Sequence, residues 1–322
     1  MGNTDITQII EPDNSSIKLD NLVCIIVTYY PDIYVLKEEI EAIPSEAAIV
    51  IVDNASGDEA LIKIRQLATT RERIHILSNS SNVGLAAAIN TGVFEAQKIW
   101  PGAKYILLLD QDSIPEPSAI ERLLNTYKKI SIQENSHGCV GPNLLDQDTG
   151  AQHGFHYTDG WRWLRLYADS NTNEIIKCSN LNGSGTLLPI NFFIEMKGLD
   201  ETLFIDHVDT DWSFRVLAAG GFLYGVADAV FKHRMGEAGK RLWFMNNRVW
   251  PQRTATRHYY LYRNAVFLMG RDYVPAVWKA WATLKLTITI PITLIIGPKR
   301  LVQLKSIIRG LKDGIFHHYS RF

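Results

Sequence analysis

Four apolar runs rich in β-branched residues, each closing in a polar turn, alternate with helix-like segments over the first 130 residues. The runs are LVCIIVTYY (Leu22–Tyr30), AAIVIVDNAS (Ala47–Ser56), RIHILSNS (Arg73–Ser80) and KYILLLDQD (Lys104–Asp112). Helical patterns occupy Ile33–Ile43, Glu59–Thr69, Val83–Ile99 and Ser118–Ile130. A strand that is apolar at nearly every position has no face to give to water. Such strands separated by helices predict an α/β protein whose mostly parallel sheet is flanked by helices on both faces. In sheets of this kind, ligands bind beyond the carboxyl ends of the strands.

Polar residues gather at those ends. Thr28 and Asp32 follow the first run, Asp53, Asn54 and Asp58 the second, Asn79 and Asn82 the third, and Asp110 and Asp112 the fourth. Helix capping or turn chemistry accounts for Asp58 and Asn82. Asp110 and Asp112 are different, because two carboxylates separated by Gln111 at the end of a buried strand repel each other. Water, a basic partner or a metal ion must compensate them.

Further along, GCVGPNLLD reads as another strand, and His153–Asp169 is dense in aromatic and basic residues. NLNGSGTLLP (Asn180–Pro189) sets small residues before a strand, and VDTDWSFRVLAAGG (Val208–Gly221) enters a helix through an acidic start. FLYGVADAVFKH reads as a strand ending at His233, and the chain from about residue 250 as a helical appendage. The expected division is a polar tail over 1–20, a catalytic domain over 21–250 with halves meeting near 130, and a helical, basic region over 251–322.

At 322 residues with a formal net charge of -1, the chain can bury a large core and lacks the bulk charge of a nucleic-acid binder. Cys24, Cys139 and Cys178 are scattered without zinc or disulfide spacing, as expected of a reducing cytoplasm. The polar, acidic residues 1–20 do not read as a secretory signal. In the appendage, Trp278 and Trp281 stand among Lys279, Lys285, Lys299, Arg300, Lys305, Arg309 and Lys312, with almost no acid. That pattern suits a helix lying in an anionic membrane surface, or a core-packing or oligomerising helix pair with a basic outer face. Its longest uncharged stretch, Leu286–Pro298, is shorter than the roughly 20 residues of a membrane-spanning helix.

No G-x-G-x-x-G follows the first strand, and neither a P-loop nor a G-x-S-x-G elbow occurs. A divalent-cation site built from oxygen ligands remains, in which D-x-D supplies one direct ligand and one acid for a ribose or a bound water. His233 is a candidate further ligand or a hydrogen-bonded surface residue. Asp209 and Asp211, at a helix start, are candidates for a general base or for ordinary capping.

The ordered series VTYYPD, IVDNASGD, NVGLAAAINTG, LLLDQDS, GSGTLLP, GLDETLFIDHVDTDWSFR and a late His resembles the family 2 glycosyltransferases of GT-A fold. IVTYYPD, FIDHVDTDWSFR and RHYYLYRN (Arg257–Asn264) narrow the likeness to the bacterial rhamnosyltransferases of O-antigen and related polysaccharides. The resemblance covers roughly residues 20–270. It implies that Thr28, Asp53 and Asp110 hold the nucleotide of a sugar donor, and that Gly183, Ser184 and Gly185 lie beside its sugar. It also implies that Asp112 and His233 bind Mg or Mn, and that Asp209 is the general base of an inverting transfer. Where the family commonly has two adjacent acids, this chain has Val208 before Asp209, so Asp206 and Asp211 compete for that role. The implied donor is dTDP-L-rhamnose, with UDP-galactofuranose and UDP-N-acetylglucosamine as rivals. The implied acceptor is a glycan on a polyprenyl diphosphate, at the inner face of the bacterial cytoplasmic membrane. A nucleotidyltransferase would carry a glycine-rich loop with arginine where this chain has TYYPD. A non-catalytic glycan-binding scaffold would show a broken acid set.

Overall fold

The computed structural model describes residues 18–233, 240–242, 248–250 and 253–316. Most of the expected N-terminal tail therefore lies outside the described residues. The first half alternates as expected: β1 (Leu22–Thr28), α1 (Ile33–Ala42), β2 (Ala48–Asp53), α2 (Asp58–Ala68), β3 (Ile74–Ser78), α3 (Leu85–Ile99), β4 (Tyr105–Asp110). A three-residue strand β5 (Ser113–Pro115) comes next, followed by α4 (Ala119–Glu134) and β6 (Gly138–Asp146). The aromatic segment forms a hairpin, β7 (Phe155–Thr158) with β8 (Trp163–Leu166). Then come β9 (Ile175–Lys177), β10 (Leu187–Pro189), α5 (Ile190–Glu195), α6 (Val208–Ala218) and β11 (Phe222–His233). A hairpin of β12 (Lys240–Leu242) and β13 (Arg248–Trp250) precedes three helices, α7 (Ala255–Met269), α8 (Ala276–Ile296) and α9 (Arg300–Ile315).

One nine-stranded sheet runs β3-β2-β1-β4-β10-β6-β11-β5, with β9 paired to β11. The long strands pair parallel (β1 with β2 and β4, β2 with β3, β6 with β11), whereas the three-residue strands β5, β9 and β10 pair antiparallel. Every residue of β1 and β2 is buried because their side chains alternate between two cores. Val23, Ile25 and Val27 join α3, α5 and α6 on one face, while Cys24 and Ile26 join α1 and α4 on the other. The strand order reverses between β1 and β4, where an α/β sheet opens a ligand crevice.

The helical C-terminal region shares a small core of Leu261, Tyr262, Ala265, Leu286 and Ile307. Tyr259 donates to buried Asp313 at 2.8 Å, tying α7 to α9. Thus α7 is covered along its length, while α9 buries one face against it and leaves a second face exposed, as in the core-packing alternative read from the sequence. Among the described residues no helix is long and apolar enough to cross a membrane.

Candidate active site

The strand ends meet around one cavity of about 520 Å³. The D-x-D is the link between β4, in the sheet's interior, and β5, at its edge on β11. Gln111 clamps this link to the end of β1: its Oε1 accepts from Tyr29 N at 2.7 Å and its Nε2 donates to Tyr29 O at 3.3 Å. Ser113 of β5 is in register with His233 of β11, which brings that imidazole between the two acids. His233 Nδ1 lies 3.2 Å from Asp112 Oδ1, and Nε2 lies 3.9 Å from Asp110 Oδ2. The compensation demanded by paired carboxylates therefore begins with a basic partner. Burial works against a charge on His233, but the two acids outweigh it and raise its pKa. Burial raises Asp110 and His233 opposes this, although the Asp110 side chain keeps 40% of its area open to the cavity.

The donor set suits a small hard cation. Adjacent ligands in an octahedron with bonds of about 2.1 Å stand roughly 3 Å apart, close to the 3.2 Å between Asp112 Oδ1 and His233 Nδ1. Among the described residues no three His, Cys, Asp or Glu side chains are placed to hold one metal ion together, so the protein would supply two ligands, Asp112 and His233. Open coordination positions are usual where Mg²⁺ keeps waters and takes substrate phosphates.

Thr28 and Asp53 lie just behind the lining. Thr28 donates to Asp53 Oδ1 at 3.1 Å, and Ser56 N donates to Asp53 Oδ2 at 3.1 Å, so this acid is satisfied within the protein. Its neighbours Tyr29 and Asn54 line the cavity instead. Asn54 accepts from Asn79 at 3.1 Å and from Val83 N at 3.0 Å, and donates to Asn82 at 3.0 Å. The third strand's polar end thus serves to brace the second. Gly183 lines the cavity beside Asp209, whereas Ser184 bonds to Ser113 behind it. Gly185, at φ +78°, is turned away: a Cβ there would stand 2.2 Å from the Pro142 ring.

The three candidate bases separate cleanly. Asp211 is fully buried and held by Arg271, by Arg215 at 2.9 Å and by the Tyr273 hydroxyl at 2.5 Å. Both oxygens of Asp206 are held by Arg257 at 2.8 Å. Asp209 accepts from its neighbour Thr210 N at 2.8 Å and opens into the cavity with no arginine on it. Burial, with Asp110 and Asp206 adding to it, pushes Asp209 up to about 6.

Asp209 follows a loop in which Phe204, Asp206 and His207 all have φ near +63° (63°, 64° and 62°), a region that costs side-chain-bearing residues about 1 kcal/mol or more each. Helix α7 holds that loop. Asn264 Nδ2 donates to the carbonyls of Leu203, Ile205 and Asp206 at 2.7–2.9 Å, and Arg263 donates to Thr202 O at 2.7 Å. This gives RHYYLYRN a physical role: Arg257, Arg263 and Asn264 face the loop that leads into Asp209. Sequence reading assigned these three residues no role, because their partners stand some 50–60 positions earlier.

Glu39 was also missed. It lies in the Leu36–Ile40–Ile43 stripe of α1, fully buried behind β5, and neither carboxylate oxygen has a hydrogen-bond partner. A carboxylate at an i+3 position within an apolar stripe was the available signal. Burial, then Asp112 and Asp110, raise its pKa well above 4.5. An acid whose folded pKa is raised holds its proton in the native state, so stability falls as pH rises above 4.5. Glu39→Gln, which mimics the neutral form, should remove that decline. Urea midpoints from pH 5 to 8 should fall less in the variant than in the parent, and parallel curves would refute the assignment.

Comparison with known proteins agrees with this geometry. Residues 24–179 match the model of glycosyl transferase family 2. The chain is 28% identical over 272 residues to the dTDP-rhamnosyl transferase RfbF of Shigella flexneri, covering 79% of this chain and 82% of that one. It is 29% identical over 181 residues to an uncharacterized glycosyltransferase of Haemophilus influenzae, covering 55% of this chain and 54% of the relative. Among solved structures, GalNAc-T7 with UDP, GalNAc and Mn²⁺ superposes at TM-score 0.58 and 15% identity, with 93% of this chain but 58% of that one covered. The mannosyltransferase PcManGT of Pyrobaculum calidifontis, with GDP-Man and Mn²⁺, superposes at 0.55 and 14% identity, over 92% and 88% of the two chains. The chain thus spans little more than half of the Haemophilus and GalNAc-T7 proteins. It is a GT-A-fold protein carrying a glycosyl transferase family 2 domain.

Proposed function

We propose that the protein is an inverting, divalent-cation-dependent transferase that moves L-rhamnose from dTDP-L-rhamnose to a lipid-linked glycan of a bacterial surface polysaccharide. The observation that carries this reading is Asp209, an uncommitted carboxylate with a raised pKa, sharing a cavity with Asp110, Asp112 and His233. The rhamnosyl donor is supported by the Shigella relative.

In the proposed reaction, Asp209 takes the proton of an acceptor hydroxyl as that oxygen bonds to the sugar's anomeric carbon. The bond from that carbon to the diphosphate breaks on the opposite face, which inverts the configuration. Asp112 and His233 would hold the cation, and Asp110 the donor's ribose. When bound, Mg²⁺ or Mn²⁺ offsets the negative charge that grows on the leaving diphosphate. Gln111 keeps the D-x-D fixed against β1, and Trp212, packed on Phe193, screens one side of the base. The outward face of α9 (Leu301, Lys305, Ile308, Lys312 and Ile315) would rest on an anionic membrane surface at the inner face of the cytoplasmic membrane.

A base must be ionised to act, so kcat/KM should fall as pH drops through about 6, the value to which burial raises Asp209. A flat profile down to pH 5 would exclude it. The test of the whole reading is thermal stability with dTDP, UDP, GDP and their sugars, with and without manganese. Ligand at 100 times its Kd stabilises by about 2.7 kcal/mol. A manganese-dependent shift largest with dTDP is expected, and Asp112→Ala should abolish its metal-dependent part. No metal-dependent shift with any nucleotide would overturn the proposal.

A further inference from the structure

Behind His207 the cavity wall is aromatic. Trp278 meets the His207 ring edge-on at 5.5 Å, and Phe214 packs against Trp278 at 5.6 Å and Trp163 at 6.0 Å. On the outer side of that wall, Trp163 stacks on His156 at 5.7 Å and leans on Trp281 at 6.2 Å. Two exposed cations are mounted there. The Lys285 ammonium sits 4.6 Å from the centre of a Trp281 ring, and the Arg165 guanidinium lies 3.0–3.2 Å from His156 Nε2.

These cations differ from those near the base. Arg257, Arg215 and Arg271 are each spent on Asp206 or Asp211, whereas among the described residues neither Arg165 nor Lys285 forms an ion pair. Arg253 also acts on Lys285, and Asp206, the acid that opposes it, is already bonded to Arg257. Like charges gathered on a fixed aromatic platform raise the local potential, and a multiply charged anion relieves it. Burial of much of the Lys285 side chain, then Arg253 and Arg165, lower its pKa to about 8.

An apolar strip begins beside Lys285. Leu284, Ile288 and Ile295 are 60%, 48% and 67% exposed and fall with exposed Pro291 on one face of α8. Paired cations leading into an apolar strip fit an amphiphile with a diphosphate head and a hydrocarbon tail. We propose that Arg165 and Lys285 form a second anion subsite, outside the donor cavity, that takes the diphosphate of a prenyl-diphosphate-linked acceptor, whose first isoprene units lie along Leu284, Ile288 and Ile295. The assignment rests on the transferase reading above and gives the acceptor's anchor a place on it. A flat anionic bilayer would instead find its cations on α9, where Lys305, Arg309 and Lys312 project from an exposed stripe.

The test is binding of farnesyl diphosphate by calorimetry, with the donor cavity saturated by dTDP and manganese. Each substitution removes charge-assisted hydrogen bonds, among the strongest a side chain makes to a diphosphate, so Arg165→Gln and Lys285→Gln should each weaken binding about tenfold or more. Leu284→Ser/Ile288→Ser should weaken farnesyl diphosphate but not inorganic pyrophosphate. All four positions are exposed, and unfolding curves would verify that each variant is folded. Equal affinity in parent and Arg165→Gln/Lys285→Gln overturns the subsite. So does a double variant that loses phosphatidylglycerol vesicles while keeping farnesyl diphosphate, and so does protection of the α8 strip by self-association alone. If dTDP binds normally in these cases, the transferase reading survives the subsite. If dTDP and manganese fail to bind at all, that reading falls, and the same comparison without nucleotide still decides the subsite.

Discussion

Asp209→Asn is expected to lower kcat by about 10²- to 10⁴-fold, the range that a positioned general base supplies. The affinity for dTDP and the melting temperature should stay close to those of the parent. The substitution keeps the shape and the acceptor oxygen that Thr210 N uses at 2.8 Å, and removes the basic oxygen that opens into the cavity. Asn cannot take the acceptor's proton, so loss should fall on the chemical step rather than on donor binding. Steady-state kinetics with parallel nucleotide titrations checks this. Unchanged turnover would move the base elsewhere, and the geometry leaves few places for it, because Asp206 and Asp211 are bound by arginine.

The second large effect is on folding. Asp211→Ala should lower stability by about 3–5 kcal/mol, the usual result of removing one partner from a buried ion pair. Arg271 and Arg215 would lose the carboxylate between them, and Tyr273 its acceptor. Arg271, whose pKa Asp211 and Asp200 raise despite burial, would keep only Asp200 as a carboxylate partner among the described residues, beside the Tyr273 hydroxyl. Chemical denaturation should show an earlier midpoint. A stable Asp211→Ala protein with no turnover would reverse the roles assigned to the two acids. The pair of variants therefore separates chemistry from architecture, two residues apart on one helix.

Most of the α/β frame was legible because its long strands are buried on both faces and write continuous apolar runs. The strand over Phe222–His233 was found at its expected bounds. The short antiparallel strands were harder, since three residues such as Ser113–Pro115 carry no period. The D-x-D, His233 and Asp209 could be named from order along the chain, and the structure gathers them around one cavity. What sequence could not show was which acids are already spoken for. Asp206 and Asp211 look like Asp209 in the string DHVDTD. They differ through Arg257 and Arg271, which are 51 and 60 residues away. Gln111 looked like a spacer and is a clamp, because its partner is the backbone of another strand.

The family 2 segment, residues 24–179, ends before both the proposed base and the amide that fixes its approach. Asn264 works as a pin through three carbonyls of a backward-wound stretch, so any tilt of α7 is passed to Asp209, three residues beyond the last of them. A chain cut after its last β-hairpin would keep the strand-end cavity and lose the brace on the stretch that leads to Asp209. Chimaeras that exchange acceptor preference should therefore carry α7 together with the Leu203–His207 stretch, as a single transplant.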